Sequence, residues 1–236
     1  MLRVEALEFA YTDAAEQRMC FDLTVSAGEV LSLIGPSGSG KSTLLNLVAG
    51  FLPASRGRIL LDQHPIQDLA VAQRPVSIVF QQHNLFPHLD LYTNVALGVN
   101  PSLRLLPAQV EAVREALARL GLTELQRRKP GELSGGQRQR VALARALVRR
   151  RKILLLDEAF AALGPAMRSE LIELVKVLVR EQDMAALLVS HQPNDALIAS
   201  ARTAFICAGR VATLAPTAQL LQQQEPPELR EYLGSQ

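Results

Sequence analysis

Gly35-Pro36-Ser37-Gly38-Ser39-Gly40-Lys41-Ser42 stands between the aliphatic run Val30 to Ile34 and a helix-forming stretch from Ser42 to Gly50. These eight positions match a phosphate loop, in which glycines let backbone N–H groups turn inward onto phosphate oxygens and the helix start adds partial positive charge. Lys41 would reach the terminal phosphates, the Ser42 hydroxyl would ligate Mg²⁺, and Thr43 adds a nearby donor. With its flanking strand and helix, the motif predicts a nucleoside triphosphate as ligand and an α/β core around it.

Outward from the loop, strand-like runs are predicted at Leu2 to Phe9, Phe21 to Val25, Val30 to Ile34, Arg58 to Leu61 and Val76 to Phe80, then at Ile153 to Leu156, Ala186 to Ser190, Ala204 to Cys207 and Arg210 to Leu214. Several are too uniformly apolar to be half exposed, so the sheet is expected to be covered on both faces. The first two and the last two runs are closely spaced and read as antiparallel additions, which makes the sheet mixed. A helix is predicted from Pro165 to Glu181, where Leu171, Leu174, Val175 and Leu178 recur at helical spacing. Between Gln81 and Ser134 the strand signal stops, and Val110, Val113, Leu117 and Leu120 form a helical stripe. Residues 82–133 are therefore expected to be a helical subdomain inserted into a single domain spanning residues 1–236. The Gln-rich tail after Pro216 is expected to be a short helix and a frayed end.

Composition narrows the function. A length of 236 residues fits one domain with a large core. The 25 Lys and Arg against 23 Asp and Glu leave a formal charge of +2, so no global field marks nucleic acid as a partner. The cluster Arg149-Arg150-Arg151-Lys152 follows a helix-forming stretch, where cations are favoured, and has no interleaved aromatics. A hydrophobic fraction of 48% excludes disorder, and 4% aromatics with no Trp argue against an aromatic-lined sugar or base groove. No apolar run approaches the roughly 18 residues of a spanning helix, and the N-terminus lacks a secretory pattern, so a cytoplasmic location is expected. Cys20 and Cys207 read as small core side chains rather than a disulfide. His64, His83 and His88 lack carboxylate or Cys partners and read as loop positions rather than a metal site.

Ile153-Leu154-Leu155-Leu156-Asp157-Glu158 ends a buried strand on two acids, at the sheet edge where α/β proteins bind ligands. Asp157 is expected to hold Mg²⁺, and Glu158 to polarise the attacking water as a general base. Leu133-Ser134-Gly135-Gly136-Gln137-Arg138-Gln139-Arg140 opens another helix-forming stretch, and Ser134 with two glycines at a helix start makes a second anion-binding end.

That last segment resembles the signature motif of the ATP-binding subunits of ABC transporters. The resemblance implies an α/β phosphate-loop NTPase core with a mixed sheet, N-terminal antiparallel β elements and an inserted helical subdomain, the ABC ATPase fold. It implies that Ser134, Gly135, Gly136 and Gln137 face the ATP held by a partner subunit, so that two ATPs are sandwiched in a head-to-tail homodimer. It further implies that Tyr11 stacks on adenine, that Gln81 contacts Mg²⁺ and links the site to the helical subdomain, and that His191 contacts the γ-phosphate. Two departures stand out: Ala159 replaces the proline usual after the catalytic glutamate, and Ala161-Ala162-Leu163-Gly164 replaces a segment that usually ends in aspartate.

Arg74-Pro75-Val76-Ser77, Phe80-Gln81 with Asn84-Leu85-Phe86 and His88-Leu89, Leu97-Gly98 with Asn100-Pro101, and Pro130-Gly131-Glu132-Leu133 look like the thiamine-importing branch of the family. This implies a peripheral ATPase on the cytoplasmic face of the bacterial inner membrane, docked beneath a membrane-spanning permease and served indirectly by a periplasmic solute-binding protein. No added C-terminal regulatory domain is expected. The segment Gln81 to Leu89 would contribute to the groove that receives a short permease helix, with subdomain packing as the other reading of Leu85 and Phe86. The cargo would be thiamine or its phosphate esters. An importer of another small solute and a catalytically weak ATP-binding scaffold are the alternatives, and a soluble ABC ATPase of translation or DNA repair is disfavoured.

Overall fold

The chain opens with the antiparallel pair β1 (Leu2–Phe9) and β2 (Met19–Val25), turns into the buried strand β3 (Val30–Ile34) and enters α1 (Lys41–Ala49). This is the course of the computed structural model, which describes residues 1–11, 18–82, 84–223 and 225–234. The strand β4 (Arg56–Leu61) and the two-residue β5 (His64–Pro65) extend the antiparallel edge beyond β1, and β6 (Val76–Phe80) returns to the inner sheet. Helices α2 (Leu91–Val99), α3 (Pro107–Arg119) and α4 (Gly135–Leu147) then lead to β7 (Ile153–Asp157). The rest runs α5 (Pro165–Glu181), β8 (Ala185–Val189), α6 (Pro193–Ala199), β9 (Arg202–Cys207), β10 (Arg210–Pro216), α7 (Thr217–Gln223) and α8 (Pro227–Gly234). Among the described residues these strands form one mixed sheet in the order β5-β4-β1-β2-β10-β9-β3-β8-β7-β6.

The segment β9-β3-β8-β7-β6 is parallel throughout, because a helix carries the chain back between successive inner strands. Buried on both faces, β3 and β8 have no exposed position, which is why their sequences are aliphatic without alternation. Their side chains still divide by period two. Leu154, Leu156, Ala186 and Leu188 join the core under α4 and α5, whereas Ile153, Leu155, Ala185 and Leu187 join the core under α1 and the β1–β2 pair.

Three expectations are corrected. The last two strands are not antiparallel additions together: β9 lies parallel to β3, with Ile34 opposite Phe205, and only β10 reverses, pairing antiparallel with β9 and touching β2 at Arg210 and Cys20. The crossover through α6 sets the direction of β9, while the tight Ala208-Gly209 turn reverses β10; apolar content carries neither fact. Cys20 is exposed rather than a core residue, because it falls on the outward face of the alternating strand β2, and Cys207 is half-buried; both are free thiols. The tail forms two helices, α7 and α8, and buries Leu220, Leu229 and Tyr232 against Ile34, Ala196 and Phe205.

The helix α1 carries the phosphate loop at its start and is fixed at both ends. Gly40, with φ 107, turns the chain into α1 at a point where a Cβ would meet the Phe21 ring at 3.1 Å and the Met19 sulfur at 3.2 Å. At the other end Arg74, only 5% exposed, donates to the carbonyls of Leu47 at 2.7 Å and Val48 at 2.9 Å, placing a guanidinium on the negative helix terminus. Between β6 and β7, the buried Asn94 amide donates to the carbonyls of Phe86, Leu89 and Asp90 and accepts from the Phe86 N–H, so it pins the loop before α2.

Candidate functional site

The phosphate loop leaves β3 at Gly35, where a Cβ would lie 2.1 Å from the Ile206 carbonyl oxygen, so only glycine fits that close strand contact. Pro36, Ser37 and Gly38 form the exposed crown of the loop, and Ser39 and Gly40 are buried beneath it. The Lys41 ammonium donates to the carbonyls of Gly35 and Pro36, both at 2.7 Å, and so lies across the loop rather than in solvent. Burial holds its pKa below the usual lysine value, partly offset by the charges of Glu158 and Asp157.

Strand register brings the acids to this loop. Asp157 ends β7 opposite Phe80 of β6 and Val189 of β8, and its Oδ1 accepts a hydrogen bond from Ser42 Oγ at 2.9 Å. Burial raises the Asp157 pKa, the Ser42 hydrogen bond lowers it, and the neighbouring Glu158 charge raises it again, for a net increase. A half-buried carboxylate beside a hydroxyl is a hard oxygen donor set short of positive charge, and Mg²⁺ suits it: that ion takes one or two carboxylates plus substrate phosphates. Gln81 follows Phe80 and is exposed at the end of β6, one position beyond the residue that pairs with Asp157.

Glu158 adopts a left-handed backbone, φ 50, while its N–H still donates to the Val189 carbonyl at 3.2 Å. Its Oε1 lies 2.5 Å from Nε2 of His191, just past β8. Tyr11 is 47% exposed, edge-on to Phe9 at 4.8 Å, and its hydroxyl shares a 3.1 Å hydrogen bond with Thr43 Oγ1. Thus Tyr11, the loop from Gly35 to Thr43, Asp157, Glu158 and His191 converge at the carboxyl ends of the parallel strands, with Gln81 beside them.

Ser134 to Gln137 form a separate group. Ser134 caps α4 by accepting from the Gln137 N–H at 3.2 Å, and the Gln137 side chain accepts from the Ser134 N–H at 3.0 Å. A Cβ at Gly135 would meet nothing within 4 Å, so this face is open, whereas at Gly136 it would fall 1.9 Å from the Met167 sulfur of α5. The signature residues therefore pack against the helix that follows Gly164. Of the nearby groove residues, Leu85 packs on the helical core and Phe86 is exposed, lining a cavity of about 760 Å³ with Phe51 and Val71. His83 lies outside the described residues.

Sequence reading missed a buried network behind the acids. Arg168, 7% exposed, donates to the carbonyls of Ala161 at 3.1 Å and Leu163 at 2.9 Å and lies 3.9 Å from Asp195. Asp195 accepts from Ser190 Oγ at 2.6 Å, and that hydroxyl accepts from the Gln192 N–H, so the loop after Glu158 and the turn holding His191 are tied through one guanidinium. The signal was present: Arg168 occupies the core-facing stripe of α5, three residues before Leu171. Tyr232 was also missed, because nothing in a Gln-rich tail places it beside β3.

Strand-loop-helix geometry around Lys41, acids at the strand ends and a capped second helix start define a phosphate-loop NTPase core of the cassette type. The ABC transporter family model matches residues 20–161. The chain belongs to the ABC transporter family. It is 48% identical over 233 residues to the thiamine import ATP-binding protein ThiQ of Brucella abortus biovar 1, covering 99% of this chain and 95% of that protein. Proteins of the same name from a Chelativorans species and from Photobacterium profundum are 49% and 45% identical, over 94% and 100% of their lengths. Among solved structures, the dimeric post-hydrolysis state of the ATP-binding cassette MJ0796 bound to ADP and Pi matches with a TM-score of 0.79 and 29% identity, over 92% of this chain and 99% of that one. Among the described residues no helix is long and apolar enough to cross a membrane.

Proposed function

We propose that this chain is the ATP-hydrolysing subunit of a bacterial ABC importer for thiamine or its phosphate esters, bound to the cytoplasmic face of the inner membrane. The observation that carries the catalytic part is the pairing of Glu158 with His191 beside the Ser42–Asp157 pair, on the loop that presents Lys41. Near-full-length identity to thiamine import ATP-binding proteins supports the cargo, since the cassette itself does not touch the solute.

In this reading Lys41 and the loop N–H groups bind the β- and γ-phosphates, and Tyr11 stacks on adenine. Ser42, Asp157 and Gln81 would hold Mg²⁺, which would supply positive charge against the phosphates when bound. Glu158 orients and deprotonates the attacking water, and His191 holds Glu158 while reaching the γ-phosphate. Ser134, Gly135, Gly136 and Gln137 stabilise the ATP of the other subunit, so a head-to-tail homodimer is required. Residues 1–236 act as one ATP-binding domain, and the helices within 82–133 pass closure to the permease. The solute-binding protein engages the permease from the periplasm and stimulates this subunit indirectly.

The test is ATP hydrolysis by the chain co-assembled with its permease in lipid, with and without thiamine-loaded binding protein, beside the Glu158→Gln variant. Thiamine stimulation that disappears in the variant supports both enzyme and cargo, whereas turnover indifferent to thiamine removes the cargo. A second reading, an ATP-binding scaffold with weak turnover, is favoured by Gly164 at the start of α5, where the family usually has aspartate; nucleotide-driven dimerisation without hydrolysis would support it.

A further inference from the structure

The catalytic histidine is held from both sides, and the second hold comes from the far end of the chain. Its ring meets Glu158, while its backbone carbonyl accepts a hydrogen bond from the Tyr232 hydroxyl at 2.9 Å. Through its hydroxyl Tyr232 of α8 therefore holds the turn that carries His191, and its ring clusters with Ile34, the last residue of β3 before the phosphate loop. The ring is 6% exposed and packs on Phe205 at a centroid distance of 5.8 Å, in the cluster that contains Ile34 and Leu229. Such burial leaves the hydroxyl little freedom, so its hydrogen bond fixes the His191 turn rather than merely decorating a surface.

We propose that Tyr232 is a positioning residue of the ATPase site, whose hydroxyl sets the place of His191 relative to the phosphate loop. Packing alone would be served by phenylalanine, which keeps the ring against Phe205 and Leu229; only the hydrogen bond to the His191 carbonyl needs the oxygen. The burial that raises the Tyr232 pKa also keeps the phenol protonated and able to donate to the His191 carbonyl.

This inference rests on the reading of His191 as a catalytic residue, so the experiment separates the two. The full chain, co-assembled with its permease in lipid, is assayed for kcat and KM for ATP as wild type, Tyr232→Phe, Leu229→Ala and His191→Ala, with Tm measured for each. Tyr232→Phe is expected to lower kcat by about threefold to tenfold, the worth of one well-placed hydrogen bond, with KM within about twofold of wild type. Leu229→Ala removes packing from the same helix and is expected to lower Tm while retaining most of kcat at temperatures well below unfolding. Wild-type kcat in Tyr232→Phe, or an equal loss of kcat in Tyr232→Phe and Leu229→Ala, would overturn the proposal. Full turnover in His191→Ala would instead overturn the site reading on which it stands.

Discussion

Replacing Gly164 with aspartate restores the residue usual in the family and tests two consequences at once. Gly164 is the N-cap of α5, with φ −64 and ψ 157, an extended conformation that aspartate adopts freely, and a Cβ there would meet nothing within 4 Å. The helix has no side-chain cap and no acid in its first turn to meet the N–H groups at its start. Aspartate would supply an acceptor worth a few tenths of a kcal/mol over glycine, plus about 0.3–1 kcal/mol from negative charge at the helix start. The sum, about 0.5–1.5 kcal/mol, corresponds to a Tm rise of roughly 1–6 °C for a domain of this size. Gly164→Asn separates the parts: it keeps the cap without the charge, and only the aspartate gain should shrink as salt is raised. In ATPase assays Gly164→Asp should also raise turnover or change its cooperativity, because the aspartate couples the two sites in the family. A lower Tm in Gly164→Asp would refute the capping argument, and a higher Tm with unchanged turnover and Hill coefficient would refute the coupling argument.

Arg74→Met should cost about 3–5 kcal/mol, since it strips partners from four carbonyls, those of Leu47, Val48, Gln67 and Leu69, around a buried charge; a Tm loss under about 2 °C in thermal unfolding would contradict this. Glu158→Gln should cut turnover by about 10² or more while ATP-bound dimer accumulates in size-exclusion chromatography, and unchanged hydrolysis would count against the general base. Burial opposes ionisation of Glu29, but the hydrogen bonds from Arg202 and Ser26 outweigh it and hold its pKa below the ordinary 4.5. Its contribution to stability is thus full above pH 4.5 and is lost as pH falls through the lower folded value, so Tm of Glu29→Gln should depend less on pH in that acid window than wild type. Parallel Tm curves for the two proteins would show that Glu29 is not responsible.

Much of the site could be read from sequence because its parts are local. A phosphate loop is eight consecutive residues whose backbone does the binding, and a strand ending in Asp157-Glu158 declares its own position at the sheet edge. The long helix from Pro165 to Glu181 announced its bounds through a proline start and a regular apolar stripe. Strand direction was less legible. The crossover through α6 fixes β9 and the tight turn at Gly209 fixes β10, and neither depends on how apolar the strands are. Cys20 was misplaced for a related reason: one cysteine in a short run does not say which face of β2 it occupies.

By itself, the amino-acid sequence determined that this protein has a phosphate loop, paired acids at a strand end, a second capped helix start and a largely aliphatic two-faced sheet, since each is written in contiguous residues or simple periods. Only the tertiary structure decided that Arg168 joins the loop after Glu158 to the turn of His191, and that Tyr232 reaches from the tail to Ile34 and His191. Those contacts span elements far apart in the chain, and they exist because the parallel sheet brings its strand ends together and the last helix packs over them.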